Sequence, residues 1–197
     1  DASVAYKNSG DSFTMYVFSP QSLARPNRLL LALVLSTVLL SACGKQDSAS
    51  LLAEARTMIA AGDYKAATIQ LKNALTQDAN NAEARFELGK LYLDQFDLAG
   101  AEKEFQRARE AGYEANAVNP MIARALLGQR EFERVLEELP APASDGPETA
   151  TLLALRAKAE LALDRKDEAR KTTQRALQAA PGNPEVHLAL AHLALAD

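Results

Sequence analysis

The sequence predicts an all-α protein in which helical hairpins nest in single file. Three observations carry that prediction. From Ser48 onward the chain repeats every 34 residues without an insertion, in units starting at Ser48, Ala82, Asn116, Ala150 and Pro184. The eighth residue of each unit is small (Ala55, Gly89, Ala123, Ala157, Ala191), and most residues at the twentieth and twenty-seventh places are too (Ala67, Ala101, Val135, Ala169; Ala74, Ala108, Pro142, Ala176). Antiparallel helices approach closely only where facing side chains are small, while larger residues such as Leu71, Phe105 and Leu139 at the twenty-fourth place fill the space between units. Gly62-Asp63-Tyr64 reads as a helix–turn–helix corner, and Pro147 and Pro181 stand at the thirty-second place, where a helix has to stop.

Composition narrows the function. The chain has 197 residues, 22 Lys+Arg against 26 Asp+Glu, a net charge of −4 and 48% hydrophobic residues. That mild acidity argues against nucleic acid, whose phosphates need a basic excess. One Cys excludes an intrachain disulfide framework, and two His with no Trp leave little for a metal centre or a stacking platform. His187 and His192 are five residues apart, about 500° around a helix, so they diverge. No phosphate loop, H-E-x-x-H or Gly-x-Ser-x-Gly occurs, and Glu137-Glu138 reads as a solvated face. No cofactor, no metal and no enzymatic activity are expected.

The elements follow in order. Residues 1–14 do not fit a signal peptide and read as an extension upstream of the true start at Met15. Arg25 and Arg28 then precede an apolar stretch, residues 29–40, that spans roughly 18 Å as a helix, too short for a bilayer core of about 30 Å. Residues 15–42 therefore read as a signal peptide. The segment Leu40-Ser41-Ala42-Cys43 resembles the bacterial lipoprotein signal, which implies that Cys43 is cleaved and acylated. Gly44 after it favours the outer membrane over the inner one, and residues 43–50 form a polar tether. Three acyl chains make a firm anchor.

Residues 48–81 and 82–115 are the first two repeats. In the degenerate third, residues 116–149, Pro140 and Pro142 cut the second helix short and leave residues 140–147 as a loop, the expected hinge. Residues 150–183 are the fourth repeat, and residues 184–197 the first helix of a truncated fifth. Val186, Leu188, Leu190, Leu193 and Leu195 make that helix apolar on more than one face, so a longer array is expected.

This pattern resembles the tetratricopeptide repeat, which implies a right-handed α-α superhelix. The second unit carries the signature best, in Leu88, Gly89, Tyr92, Ala101, Phe105 and Ala108. Glu54 and Arg156 stand where the first helix of that repeat usually has Leu, and Glu160 where it has an aromatic residue. The lipobox, the phrases Gly62-Asp63-Tyr64-Lys65-Ala66-Ala67 and Gln70-Leu71-Lys72-Asn73-Ala74-Leu75, and Ala123-Arg124-Ala125-Leu126-Leu127 together resemble the long repeat lipoproteins encoded with PEP-CTERM exosortase and exopolysaccharide systems of Gram-negative bacteria. That resemblance implies an outer-membrane-anchored periplasmic scaffold for surface protein sorting or polysaccharide export. A lipoprotein subunit of an outer-membrane protein assembly machine stays open beside it.

In such solenoids the first helices line a concave groove. The ninth place of each unit is Arg56, Lys90, Arg124, Lys158 and His192; the twelfth is Ile59, Leu93, Leu127, Leu161 and Leu195; the fifth begins Leu52, Phe86. The expected groove thus sets a ladder of cations beside an aliphatic strip. A protein segment bearing carboxylates or an acidic polysaccharide is the expected ligand, with the N-terminal lipid holding the membrane and no nucleic acid involved.

Overall fold

The computed structural model describes residues 47–196. The upstream extension, the signal segment of residues 15–42, Cys43 and the start of the tether lie outside the described residues. The described part belongs to one compact unit, Gln46–Asp197, and among the described residues there are nine helices and no strand. They are α1 (Ser48–Ala60), α2 (Tyr64–Gln77), α3 (Ala82–Asp94), α4 (Leu98–Glu110), α5 (Ala115–Gly128), α6 (Phe132–Glu138), α7 (Pro147–Ala162), α8 (Lys166–Ala179) and α9 (Pro184–Ala196).

Helices α1 to α8 pair as four successive hairpins, each second helix packs on the first helix of the next hairpin, and α9 rests on both α7 and α8. This is a helical-hairpin solenoid. Its local grammar is read directly from the sequence. Asp47, Asp63, Asn81 and Asp97 cap α1 to α4, their side chains accepting from the N–H of Ser50, Ala66, Ala84 and Gly100 at 2.7–3.0 Å. Each such cap contributes about 1 kcal/mol. Asp47 also corrects the tether: residues 48–50 are already helical.

Every hairpin turn uses one device. The fifteenth residue of the unit takes a left-handed conformation, at Gly62 (φ 79°), Phe96 (59°), Arg130 (64°) and Asp164 (60°). The next N–H then donates back to the helix: Asp63 to the Met58 carbonyl, Asp97 to Tyr92, Glu131 to Leu126 and Arg165 to Glu160, each at 2.9 Å. This pattern satisfies carbonyls that the helix end would leave open. Only Gly62 adopts the conformation without a Cβ penalty.

The small-residue columns are the helix–helix contacts. Ala55, Ala67, Ala74, Ala101, Ala108, Ala123 and Ala176 have no exposed surface, and neither do Leu71 and Phe105 at the twenty-fourth place. At Gly89 a Cβ would lie 2.6 Å from Cε1 of Phe105, so the absent side chain is what admits the ring. Ala191 is exposed, because no second helix folds onto α9 among the described residues.

The third unit departs from this regularity. Helix α6 has 7 residues where α2, α4 and α8 have 13 or 14, and it ends before Pro140. Pro147 does not stop a helix; it opens α7 ahead of Ala150, at a first-turn position where its missing N–H is no loss. Arg156 occupies a place where Leu88 and Ile122 are buried in α3 and α5. Its Nη1 donates to the Leu136 carbonyl at 3.3 Å and to that of Leu139, carbonyls that the short helix leaves open. The loop expected to be a hinge makes contacts with α8. Arg175 donates to the Pro142 carbonyl at 3.1 Å and to both Asp145 carboxylate oxygens at 2.7 and 3.2 Å.

Candidate partner-binding groove

The first helices α1, α3, α5, α7 and α9 carry the expected site residues, and the structure brings several together. Arg56 lies 2.5 Å from Glu83 and 3.9 Å from Glu87, joining α1 to α3. Lys90 lies 2.7 Å from Glu87, and its ammonium sits 5.4 Å from the centre of the Phe86 ring. Arg124 on α5 reaches Glu185 on α9 at 2.9 Å, although α7 intervenes in the chain. Arg56 thus stands on the same side of the hairpin row as Glu83, and Arg124 on the same side as Glu185.

This arrangement differs from the expectation in two respects. The first is charge. Arg56, Lys90 and Arg124 each stand beside a carboxylate, so the surface alternates in sign rather than presenting a row of bare cations. The hydrogen bond to Glu83 comes first among the causes that raise the Arg56 guanidinium pKa above its ordinary value. Lys158 is half-buried on α7, and among the described residues no carboxylate lies within 4.0 Å of its ammonium. His192 is half-buried on α9. Glu83 and Glu185 stand at the second place of their units and Glu87 at the sixth, but neither column is acidic throughout.

The second is the apolar strip. Leu52 is 5% exposed and belongs to the core beneath α1 to α3, so it is not a groove residue. Phe86 is half-buried, stacked on Tyr113 with ring centres 4.2 Å apart and tilted against Phe105 at 5.7 Å. Burial, then the carboxylates Glu87 and Glu83, push the Tyr113 hydroxyl pKa up. At the twelfth place Ile59, Leu93, Leu127 and Leu161 are half-buried, each keeping an accessible flank on a successive first helix. Of the expected strip, the twelfth-place residues keep accessible surface and Leu52 does not.

The arrangement offers hydrogen-bonding and ionic contacts along an aliphatic floor. Among the described residues no three His, Cys, Asp or Glu side chains come together in a way that would hold a metal ion.

Comparison with known proteins agrees with this geometry. Family profiles described as tetratricopeptide repeat match residues 58–125 and 150–193. No curated protein matches the chain in sequence. Among solved structures, PilF of Pseudomonas aeruginosa aligns with a TM-score of 0.60 at 19% identity, covering 75% of this chain and 68% of its own. YrrB, described as a repeat protein of this type with an unusual peptide-binding site, aligns with a TM-score of 0.56 at 14% identity, covering 82% of this chain and 91% of its own. A thermophilic repeat protein of Thermus thermophilus aligns at 0.53 with 18% identity, covering 75% and 81%. At these identities the likeness is one of fold. Profiles over both halves of the solenoid, with the helical hairpins that bear them, show that residues 58–125 and 150–193 are tetratricopeptide repeats.

Proposed function

We propose that this protein is a non-enzymatic scaffold that holds an extended segment of a partner protein along the inner faces of α1, α3, α5 and α7. The observation that carries the reading is the joint run of ninth-place cations and half-buried twelfth-place leucines on successive first helices. Tetratricopeptide-repeat proteins generally mediate protein–protein contact, and the extended concave surface is the part of a solenoid suited to it.

An acidic partner segment would exchange its carboxylates for Glu83, Glu87 and Glu185. Half-exposed ion pairs are worth about 0–1 kcal/mol each, so the exchange is cheap, and Lys158 adds a cation that needs none. In the fuller reading, acylation of Cys43 anchors the scaffold to the periplasmic face of the outer membrane. There it would serve PEP-CTERM protein sorting or exopolysaccharide export.

Pull-down from envelope extracts with the lipidated protein tests this. Wild-type protein should retain a partner that K90A/R124A protein loses, with retention weakening as salt screens the exposed charges. Retention unaffected by either change refutes the groove reading. Exosortase or polysaccharide-export components among the retained proteins support the fuller reading, and outer-membrane assembly components overturn it. A Cys43→Ser protein still found in the membrane fraction would refute the lipid anchor.

A further inference from the structure

Arg156 and Glu160 stand one helical turn apart on α7. The equivalent places hold Leu88 and Tyr92 on α3, and Ile122 and Leu126 on α5, which pack into or against the core. Two ionisable groups thus take positions that elsewhere hold no charge. Burying an ion is costly unless partners compensate it.

Here the compensation is divided. Arg156 turns toward the end of α6, where its Nη1 donates to the Leu136 carbonyl at 3.3 Å and to that of Leu139, while its Nε–H lies buried with no acceptor. Glu160 is 6% exposed; Thr172 on α8 hydrogen-bonds its carboxyl, yet Oε2 lies buried with no donor. Residues four apart on a helix are neighbours, so the two orphan atoms are within reach of each other. The cap on α6 is what keeps them apart. An unpaired buried oxygen is cheaper on a neutral carboxyl than on a carboxylate. Burial comes first among the causes that push the Glu160 carboxyl up and hold the Arg156 guanidinium below its ordinary value.

The other charged groups around Glu160 are of both signs: Arg165, Glu168, Lys171 and Arg175 on α8, and Glu133 and Glu137 on α6. Helices α5 and α9 also pack on α7; they bring Arg124 and Glu185, paired with each other, and His187 and His192. We propose that Glu160 is a proton switch for the end of α6: while its carboxyl is neutral Arg156 caps α6, and when it ionises Arg156 turns to it and releases the Leu136 and Leu139 carbonyls. The proton passes to solvent, and Nε–H then donates to Oε2, so both orphans gain a charge-assisted partner. The body of α6 stays in place, because Arg134 holds Glu102 on α4 at 2.5 Å. The effect is confined to the last turn of α6, and the third hairpin is tightest in acid.

The test is an NMR pH titration of the full chain, following the side-chain carboxyl carbon of Glu160 and the backbone carbonyl carbons of Leu136 and Leu139. Glu160 should titrate above the ordinary carboxylate range, and both carbonyl signals should shift with its midpoint. Above that midpoint Arg156 Nε–H should exchange with solvent about tenfold more slowly than in E160Q at the same pH, since it has gained a charged acceptor. In E160Q the two carbonyls should keep their low-pH positions throughout. Thr172→Val removes a hydrogen bond that favours the carboxylate, so the Glu160 and carbonyl midpoints should rise together. The Pro142 carbonyl, held by Arg175, should not move and reports that the fold is intact. A Glu160 midpoint in the ordinary range, carbonyls that ignore it or still titrate in E160Q, midpoints that separate in Thr172→Val, or a Pro142 signal that moves with them would each overturn the proposal.

Discussion

Gly89 and Phe105 offer the sharpest test of how the hairpins are built. A Cβ placed on Gly89 falls 2.6 and 2.7 Å from two ring carbons of Phe105, where ordinary contact begins at 3.4 Å. Phe105 has no exposed surface, so the ring has nowhere to retreat. In a bare helix Gly→Ala is worth about 1 kcal/mol of stabilisation. Overpacking of this kind costs about 1–3 kcal/mol, and the balance should leave Gly89→Ala destabilised by about 1 kcal/mol. The first hairpin shows the cure, since Ala55 there faces the smaller Leu71. Phe105→Leu alone should also destabilise, by leaving space unfilled, whereas G89A/F105L should return close to wild type. Urea denaturation followed by circular dichroism measures the cycle, and a coupling of about 1–2 kcal/mol is expected. Additive effects, or a Gly89→Ala protein more stable than wild type, would refute the reasoning.

Other expectations follow from single contacts. Phe96 is 85% exposed and left-handed, so Phe96→Gly should raise stability by about 0.5–1 kcal/mol in thermal denaturation, and Gly62→Phe should lower it by about 1 kcal/mol. Burial raises the Glu160 carboxyl in the folded state, so its contribution is present at low pH and lost as pH rises through the folded value. Glu160→Gln should therefore stabilise the protein at neutral pH relative to wild type, and less so near about pH 4. Glu102 has the opposite sign. Burial would raise it, but hydrogen bonds from Arg134, Gln129 and Gln106 with the Arg134 charge hold it below the ordinary carboxylate value. Its stabilisation is lost as pH falls, so Glu102→Gln should weaken the fold at neutral pH and converge with wild type in acid. Arg156→Met alone should destabilise by about 1–3 kcal/mol by uncapping α6, which urea denaturation would detect.

The hairpin rhythm was legible in the residues because it is local. A small residue every 34 places, a turn after it and an Asp or Asn at the next helix start are each decided within a few neighbours along the chain. The truncation of α6 was legible for the same reason, since Pro140 forbids continuation whatever surrounds it. What Arg156 and Glu160 do was not legible. They stood out as breaks in a pattern, and only the packing of α6 against α7 showed one of them capping a helix and both left with a buried unpartnered atom.

The groove divides along the same line. Sequence alone put Lys90, Arg124 and Lys158 in one column, because helical periodicity fixes which residues share a face. Tertiary structure decided their charge environment, since the carboxylate facing Arg124 comes from α9, 61 positions along the chain, and lies 2.9 Å away. It likewise decided that Leu52 is core and Leu93 is not, because burial depends on which helix lies above a residue, and no periodicity along one helix records that.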